Sequence, residues 1–428
     1  MLIVFTSTRL APFTGGEPKS DYRHHGQVSK EQMRKATEAF DVIILGAGAA
    51  GLMCALTAGQ RGRKVLLLDH TDRVGAKILI SGGGRCNFTN LHSAPDRFLS
   101  GNTDFCKSAL GRYTPADFIS LIERHCIPYH EKTLGQLFCN GSARAIVAML
   151  LAECAQGGVD VRVGHTVTDI SRADCFRLET SHGCFTASAL VLATGGLSIP
   201  KMGATGFAYD VARRFGLGVT KQLPGLVPLK ATPETLGFDQ LLAGVSLEAI
   251  VFCAGQSFRE NILFTHRGLS GPAILQISSY WRQGDTISLD LAPAYEGNGF
   301  LLERKHSRPR AETKTVLAEI LPARLAHALT EACLPPGPMA NVPDRTLLAF
   351  AARLKRWEIR PTGSEGWSKA EVTLGGIDTR DLSSKTMEAR NVPGLYAIGE
   401  ALDVTGWLGG YNFQWAWSSG WCAGQAIS

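Results

Sequence analysis

The stretch Asp41-Val-Ile-Ile-Leu-Gly-Ala-Gly-Ala-Ala-Gly51 decides how this chain of 428 residues folds. Val42 to Leu45 are apolar and predict a buried strand, and Gly46 to Gly51 spell G-x-G-x-x-G before a helical pattern. A second apolar strand ends in Asp69, about twenty residues after the glycines. Strand, glycine turn, helix, strand and acid in this order predict a dinucleotide-binding α/β unit.

Each part of this unit has a physical role in holding a dinucleotide. Gly46 allows the tight turn, Gly48 lets the backbone approach a pyrophosphate, and Gly51 lets the helix pack closely on the strand. The pyrophosphate would sit at the helix N-terminus, and Asp69 would accept hydrogen bonds from a ribose. The alternative is an ordinary glycine-rich turn. The residues expected to contact the dinucleotide are Gly46, Ala47, Gly48, Ala49, Ala50, Gly51 and Asp69.

The composition is that of an ordinary globular protein. Hydrophobic residues make up 45% and charged residues 19%, and the length predicts two or three domains. The net charge of +6 favours anionic partners without requiring one. The eleven cysteines form no C-x-x-C pair, which predicts reduced thiols in the cytoplasm and no metal site. We expect no membrane span and no signal peptide, because no apolar run is long enough and the first residues lack a basic segment.

The hydrophobic pattern changes twice along the chain. Residues 1–40 predict an extension outside the core, and 41–218 follow an α/β rhythm. Short alternating runs over about 219–292 predict a small β-barrel, and helical patterns lie within about 311–360. The α/β signals return over 370–428. The simplest organisation is an α/β domain in two parts, interrupted by an insert over 219–369 with a β-barrel and a helical part.

The end of the chain favours FAD over NAD. A strand runs into Gly399 and Glu400, and a glycine-rich turn at 409–410 then enters the last helix. This pattern resembles the glutathione-reductase-like FAD fold, in which an acid after the last strand holds the ribityl chain. In that fold the closing helix, here beginning near Asn412, faces the pyrimidine edge of the isoalloxazine. A helix N-terminus stabilises the negative charge of reduced flavin there by up to ~2 kcal/mol.

The loop from Ser81 to Asn90 contains three consecutive glycines. Backbone amides lying against a flat ring or a phosphate would explain them, whereas a flexible loop is the alternative. Arg85 could balance phosphate or reduced-flavin charge, and Asn87 and Asn90 could donate to ring carbonyls. For Cys86 we favour a packed thiol beside the cofactor over a catalytic thiol. The contacts expected from this loop are Ser81, Gly82, Gly83, Gly84, Arg85, Cys86 and Asn87.

Several motifs in fixed order resemble one bacterial family. They comprise the Gly46 turn, 77–90 with its triple glycine, 193–196, 263–272, 392–400 and the Gly409 turn. Together they are similar to the BaiN/RdsA flavoproteins, also described as aminoacetone oxidase-like or YhiN-like. The resemblance implies a glutathione-reductase-like FAD-binding Rossmann domain interrupted by an insert. It also implies FAD contacts at Lys77, Thr194, Gly195, Gly399, Glu400, Gly410, Tyr411 and Asn412.

The resemblance also implies hydride addition to a conjugated C=C bond, since some relatives reduce bile-acid enones and others a ribosomal RNA uridine. Our first hypothesis is reduction of a small molecule, the second is reduction of RNA uridine, and the third is a flavin sensor without turnover. Proton-donor candidates are His266, Arg267 and Tyr411, although a histidine in an insert loop is more often structural. No second fingerprint exists for NADH or NADPH, so either would bind transiently as the reductant, or another reductant is used.

Basic residues cluster in the insert over 303–310, at Lys314 and over 353–360. A basic surface above the active site would fit an RNA partner. The alternative is a solvated charged face without a partner.

Overall fold

The computed structural model describes residues 37–237 and 242–428, so nearly all of the predicted extension over 1–40 lies outside the described residues. The helices are α1 (Ala49–Gln60), α2 (Ala76–Ile80), α3 (Phe105–Arg112), α4 (Pro115–Arg124), α5 (Arg144–Gln156), α6 (Phe207–Arg214), α7 (Pro233–Leu236), α8 (Pro272–Ser278), α9 (Phe300–Ser307), α10 (Thr313–Leu317), α11 (Ala323–Cys333), α12 (Asp344–Lys355) and α13 (Tyr411–Ala426).

The first ten strands are β1 (Glu38–Leu45), β2 (Val65–Leu68), β3 (Asn87–Asn90), β4 (Phe98–Leu99), β5 (Tyr129–Glu131), β6 (Gln136–Cys139), β7 (Asp160–Arg162), β8 (Val167–Arg172), β9 (Phe176–Thr180) and β10 (Gly183–Leu192). The others are β11 (Leu223–Gly225), β12 (Leu229–Lys230), β13 (Ser246–Cys253), β14 (Gln256–Thr265), β15 (Gly268–Ser270), β16 (Ile287–Asp290), β17 (Trp357–Ile359), β18 (Gly363–Ser364), β19 (Val372–Leu374), β20 (Leu395–Ala397) and β21 (Thr405–Gly406).

The central sheet has the order β7-β2-β1-β10-β9-β8, and β20 pairs with the second half of β10. β1 lies between β2 and β10 and is parallel to both, and its residues Val42 to Leu45 are buried. A strand that is covered on both faces has a continuous run of apolar residues, as β1 has. The carboxyl ends of β1, β2, β10 and β20 meet at one edge, which brings Gly46, Asp69, Thr194 and Glu400 together.

Glycines allow α1 and α13 to pack closely beside this sheet. A Cβ on Gly420 would lie 2.5 Å from the carbonyl oxygen of Ala50, and one on Gly424 would lie 2.6 Å from Thr57 Cβ. The spacing of four residues places both glycines on one face of α13. The close approach holds the N-termini of α1 and α13 along the same edge of the sheet.

Two segments of the α/β part differ from what their hydrophobic patterns alone indicate. The helical pattern over 104–126 is two helices in the structure, because Thr114 and Asp117 form a capping box that starts α4 at Pro115. The apolar runs near 184–187 and 190–192 are one strand, β10. Its first half pairs with β9 and its second half with β20, so the change in hydrophobic pattern marks a change of neighbour.

The chain enters and leaves the insert through the antiparallel pair β11 and β19. The insert sheet has the order β17-β16-β13-β14-β15-β12-β18. Only residues 360–362 separate β17 from β18, so these edges lie within about 15 Å of each other, as in a barrel. Among the residues that the structure describes, no backbone hydrogen bonds pair β17 with β18, so the insert sheet is not closed into a complete barrel.

The sheet of the insert is not confined to the predicted 219–292, because β17 and β18 come from 357–364, after the helices. The helical part begins at Phe300, not near 311, and α12 ends at Lys355. Trp357, which lies within the helical pattern of 311–360, starts β17 instead, and its indole N–H donates to the carbonyl of Leu236 at 2.9 Å. Each part has its own apolar core, and Trp407 packs against both.

Candidate cofactor and substrate site

A cavity of about 710 Å³ runs along the carboxyl edge of the central sheet to the start of α13. The N-termini of α1 and α13 both line it, which suits the anionic groups of a dinucleotide. The residues from the sequence prediction that line it are Gly46, Ala47, Gly48, Ala49, Ala50, Asp69, Lys77, Ser81, Gly82, Gly83, Asn87, Thr194, Gly195, Glu400, Gly410 and Asn412.

The three fingerprint glycines have different surroundings. A Cβ on Gly46 would lie 2.4 Å from the Ala193 carbonyl oxygen, and one on Gly51 would lie 1.9 Å from the Gly46 carbonyl oxygen. No described atom lies within 4 Å of a Cβ built on Gly48, which faces the cavity. Gly46 and Gly51 are therefore required by packing, whereas the space at Gly48 is open to a ligand.

Asp69 joins the end of β2 to the glycine turn. One carboxylate oxygen accepts from the Ala47 N–H at 2.8 Å, and the other accepts from the N–H and the hydroxyl of Thr71, both at 2.8 Å. A carboxylate has about four acceptor positions, so it can still accept from a ribose hydroxyl in the cavity.

The Ser81–Gly84 segment is a short helical turn with left-handed residues inside it. Gly82 and Gly83 have φ of 56° and 67°, a region that glycine enters without the steric cost of a Cβ. Ser81, Gly82 and Gly83 line the cavity, so their backbone lies directly against it. Asn87, with its amide oriented to satisfy its hydrogen bonds, accepts from the Gly410 N–H at 3.2 Å. This bond ties the loop to the start of α13.

Six residues expected at the cofactor do not line this cavity. Burial raises the pKa of the Cys86 thiol to about 12, so Cys86 is a packed thiol. Arg85 is exposed, and Gly399 is buried under Trp415, whose indole N–H donates to its carbonyl. The six residues outside the lining are Gly51, Gly84, Arg85, Cys86, Gly399 and Tyr411.

Lys77 and Glu400 form an ion pair of 2.7 Å inside the cavity. Ser198 accepts from Lys77 at 2.8 Å and donates to Glu400 at 2.6 Å, and the Thr373 N–H donates to Glu400 at 3.0 Å. Burial alone would raise the pKa of Glu400, but the Lys77 charge and these hydrogen bonds together lower it. Glu400 is therefore a carboxylate that can accept hydrogen bonds from the hydroxyl groups of a ligand.

Two further observations fit FAD to this cavity. The hydroxyl oxygen of Thr194 is buried and has no hydrogen-bond partner among the described residues, which is expected of a group that serves a ligand. Gly410 begins α13 with φ of 99°, and a Cβ there would meet the Thr89 carbonyl oxygen at 2.4 Å. The free N–H groups of α13 therefore open into the far end of the cavity, where an anionic ring edge is stabilised.

A second cavity of about 310 Å³ lies between the insert and the FAD-binding part, and we call it the outer cavity. It shares three lining residues with the larger cavity, namely Gln136, Glu260 and Leu408. Arg97 and Trp407 form one wall, with the guanidinium 4.4 Å from the indole centroid. The outer cavity therefore meets the cofactor cavity at a junction built from both parts of the molecule.

Glu260 is a residue at this junction that the sequence prediction missed. Phe258, Glu260, Ile262 and Phe264 alternate along β14, so the strand turns the Glu260 side chain toward the inner face. Burial raises the pKa of its carboxyl group, against a smaller lowering by its hydrogen bond to Gln276. The sequence signal for Glu260 is an acidic residue at a position of β14 where the alternating pattern otherwise places apolar residues.

Of the three proton-donor candidates from the sequence, His266 and Arg267 lie away from the junction and Tyr411 lies in the outer cavity. His266 and Arg267 form the exposed turn between β14 and β15, and neither lines the two cavities. Arg267 instead faces Glu365 at 3.4 Å. Tyr411 lines the outer cavity, and burial raises the pKa of its hydroxyl group above the ordinary value of a tyrosine.

The basic segments of the insert are partly neutralised by acids. Arg304 and Arg308 both pair with Glu319, and Lys305 pairs with Asp344 at 2.7 Å. The structure thus reduces the charge that the predicted RNA-binding surface presents.

Lys355 pairs with the buried Asp290 at 2.7 Å, and Arg356 pairs with Glu358 at 3.0 Å. Arg310 and Lys314 are exposed, and neither forms an ion pair with an acid in the described part of the chain. Within residues 37–237 and 242–428, no three acidic, histidine or cysteine side chains are grouped for metal binding. No helix in these ranges is long and apolar enough to cross a bilayer.

The fold and the cavity define an enzyme class, the FAD-dependent oxidoreductases with a Rossmann-type domain. The chain belongs to the HI0933-like family, since the family model described as "HI0933-like protein Rossmann domain" matches residues 40–426. This match confirms the resemblance to the BaiN/RdsA flavoproteins and the assignment of the fold class.

Two similar proteins carry the same name. The ribosomal RNA dihydrouridine synthase of Escherichia coli (strain K12) is 51% identical over 393 residues, covering 91% of this chain and 98% of the relative. That of Haemophilus influenzae is 45% identical over 393 residues, covering 90% and 98%. The 3-dehydro-bile acid delta(4,6)-reductase of Clostridium scindens is 27% identical over 413 residues, covering 90% and 98%.

A solved structure has the same fold. The 3-ketosteroid-delta4-(5alpha)-dehydrogenase from Rhodococcus jostii RHA1 is 14% identical, with a TM-score of 0.52, covering 93% of this chain and 99% of that chain. At this identity the likeness supports the fold alone.

Proposed function

We propose that the protein is a cytoplasmic FAD-dependent reductase that converts a uridine of ribosomal RNA to dihydrouridine. The observation that carries the proposal is the junction of the two cavities at Gln136, Glu260 and Leu408. A substrate in the outer cavity would lie directly beside the cofactor. The names of the relatives at 51% and 45% identity support RNA over the small molecule that we favoured from the sequence.

The outer cavity suits a single base. About 310 Å³ is at the lower end of the roughly 300–1,000 Å³ typical of small-molecule sites. An enzyme that acts on a base inside folded RNA takes that base out of its stack, and aromatic and guanidinium groups receive it. Arg97 and Trp407 are such groups, and the Trp407 indole N–H donates to the Tyr280 hydroxyl at 2.7 Å, which fixes its orientation.

Bound reduced FAD supplies the hydride for this reaction. Gly48, Asp69 and the Ser81 loop would hold the cofactor, and the start of α13 lines the same cavity. Leu408 and Gln136 stand between the two cavities and set the depth to which a base enters. NADH or NADPH is the reductant that we propose, bound transiently at the cofactor face.

The decisive test compares ribosomal RNA from three strains: one with the gene, one without it, and one complemented with the wild-type protein. We expect dihydrouridine at one position to disappear on deletion and to return on complementation, as measured by mass spectrometry of nuclease fragments. A complementing Gly48→Asp variant controls for the need for FAD, since an acid there would oppose a pyrophosphate. Dihydrouridine that persists at every position after deletion would exclude the proposed function.

Anaerobic mixing of the purified holoprotein with NADH and with NADPH tests the reductant. Loss of the oxidised flavin absorbance with one of the two would identify the donor. Absorbance that persists with both would exclude nicotinamide as donor and would favour the sensor hypothesis when the RNA test also fails.

Reduction of a small-molecule enone is the second candidate, favoured by the relative from Clostridium scindens at 27% identity. Uridine C5=C6 and an enone C=C are both conjugated with a carbonyl group, so the same hydride addition serves both. Turnover of 2-cyclohexen-1-one by the reduced holoprotein, without any change in ribosomal RNA on deletion, would favour this candidate.

A further inference from the structure

We propose that Glu260 is the catalytic acid that protonates the substrate carbon, and that Gln276 is the residue that positions it. The inference rests on the proposed reduction of a conjugated C=C bond. It concerns the proton rather than the hydride, so it can be tested separately from the identity of the substrate.

The position of Glu260 is the first argument. Glu260 lines both the cofactor cavity and the outer cavity. A group that protonates the substrate must touch the space beside the cofactor, where the reacting bond lies, and must also reach the substrate pocket. Of the side chains shared by the two cavities, only the Glu260 carboxyl group can donate a proton and then hold the negative charge, since Gln136 and Leu408 cannot.

Comparison with the other acids is the second argument. Asp69, Glu371 and Glu400 line the cofactor cavity but not the outer cavity. Asp69 is bound to the glycine turn, and Glu400 is an ionised partner of Lys77. Glu400 is therefore already ionised and cannot supply a proton, and Asp69 is occupied at the glycine turn. Burial raises the pKa of the Glu371 carboxyl group as well, but Glu371 does not reach the outer cavity.

Gln276 supplies the third argument. Its side-chain oxygen accepts from the Leu408 N–H at 2.9 Å, which leaves its NH₂ group free of that bond. Gln276 and Glu260 line the outer cavity together, and the Gln276 amide lowers the pKa of the Glu260 carboxyl group against the larger effect of burial. Gln276 is buried in α8, whereas Leu408 belongs to the FAD-binding part. The amide therefore fixes the carboxyl group relative to the part of the molecule that binds the cofactor.

The surroundings keep the carboxyl group protonated at a higher pH than an exposed glutamate. Burial raises its pKa, and neutral Ala249 lies opposite it on β13. The charged and titratable side chains that share the outer cavity are His92, Arg97, Arg259 and Tyr411. Arg259 is directed to Glu248 at 3.1 Å, away from a direct pair with Glu260.

The step balances with these groups. Uridine C6 is in conjugation with the C4 carbonyl, so the hydride supplied by reduced FAD forms the new C6–H bond. The C5=C6 π electron pair then forms the new C5–H bond with the proton of the Glu260 carboxyl group, which becomes a carboxylate. The substrate gains two electrons and two hydrogens, the cofactor is oxidised by two electrons, and Glu260 recovers its proton from water.

The experiment uses the wild-type holoprotein, Glu260→Gln and the control Glu296→Gln, an exposed acid of the insert outside both cavities. Each is reduced anaerobically and mixed with ribosomal RNA from the deletion strain, and dihydrouridine is followed in a single turnover. We expect Glu260→Gln to be slower by roughly 10²–10⁴-fold, the usual contribution of a general acid, and Glu296→Gln to match the wild type.

Two readouts separate a proton donor from a structural residue. Oxidised Glu260→Gln should retain its FAD and bind RNA within about threefold of the wild type, since the amide can still bond to Gln276. The wild-type rate should fall as pH rises through the pKa of Glu260, because the protonated form reacts, and this decline should vanish in Glu260→Gln. If Glu260→Gln does not retain FAD, Glu260→Asp carries the test, with a reduced rate and the pH dependence preserved.

A rate for Glu260→Gln within tenfold of the wild type, with the same pH profile, would overturn the proposal. The same proteins are also mixed with 2-cyclohexen-1-one, whose reduction needs the same hydride and proton. If the wild type reduces the enone but not RNA, the proposal of an RNA substrate is excluded. The rates of enone reduction by the wild type and Glu260→Gln then still test the role of Glu260. If the wild type reduces neither, both proposals fail.

Discussion

Replacing Gly48 and Gly51 by alanine, one at a time, should separate cofactor binding from folding. A Cβ on Gly51 would lie 1.9 Å from the Gly46 carbonyl oxygen, which is backbone and cannot swing aside. A Cβ on Gly48 would meet no described atom within 4 Å, and its φ of −84° suits any residue. Gly48 lines the cofactor cavity, so its Cβ would occupy space where a pyrophosphate should lie.

The magnitudes follow from these distances. Overpacking costs typically 1–3 kcal/mol, and Gly51→Ala should reach about 3 because α1 must move away from the glycine turn. Alanine recovers about 1 kcal/mol of helix propensity, which leaves a net loss of about 2 kcal/mol in the free energy of unfolding. Gly48→Ala should change this free energy by less than about 1 kcal/mol. Loss of one hydrogen bond to a charged phosphate, about 1.5–3 kcal/mol, should weaken FAD binding by roughly 10- to 150-fold.

The assay measures both quantities on each variant. Urea unfolding of the FAD-free proteins gives the free energy of unfolding, and quenching of flavin fluorescence gives the Kd for FAD. We expect a normal midpoint with weak FAD binding for Gly48→Ala, and a lowered midpoint for Gly51→Ala. The reasoning is refuted if Gly48→Ala binds FAD like the wild type, or if Gly51→Ala is as stable as the wild type.

Five further substitutions test the site and the basic surface of the insert. Lys77→Met should destabilise the protein by about 2–3 kcal/mol in urea unfolding at pH 7, since Glu400 would lose its charged partner. The pKa of Glu400 is lower in the folded protein than in the unfolded chain, where it is about 4.3. Ionised Glu400 therefore adds to the free energy of unfolding above that pH, and this contribution is lost as pH falls through the lower folded value. Glu400→Gln should accordingly reduce the loss of stability at acid pH. Arg97→Gln should weaken RNA binding by roughly 1–3 kcal/mol in a filter-binding assay while FAD content stays constant. Arg310→Gln and Lys314→Gln should each lower the slope of log K against log salt by about 1 if they contact phosphate, and unchanged slopes would exclude this surface.

The cofactor site was largely predictable because its parts are local. Val42 to Gly51 carry their own strand, turn and helix signals within a few residues, and Asp69 follows at a fixed distance. The carboxyl ends of parallel strands meet at one edge whatever the rest of the chain does. Periodicity therefore identifies these residues, although it does not reveal that Cys86 and Arg85 turn away from the cavity.

The junction was not predictable because its contacts join distant segments. Glu260, Gln276 and Leu408 meet only when the insert folds back on the FAD-binding part. Residue type alone makes His266 a candidate proton donor, but the sequence pattern does not indicate which end of a hairpin faces the cofactor. The structure answers this question, since β14 carries Glu260 at the cavities and places His266 at the far turn.

The place at which the insert interrupts the domain accounts for the position of Glu260, the proton donor that we propose. The chain crosses into the insert through β11 and returns through β19, and Leu226 and Val372 at these two crossings line the cofactor cavity. An insert that leaves beside this cavity covers the cofactor, whereas one from the opposite edge of the sheet would not. Residues that would hold FAD are therefore fixed by the sheet, whereas Glu260 lies on β14 of the insert and meets the outer cavity opposite the FAD-binding part. Changes in β14 should alter which bond is reduced and leave FAD binding intact.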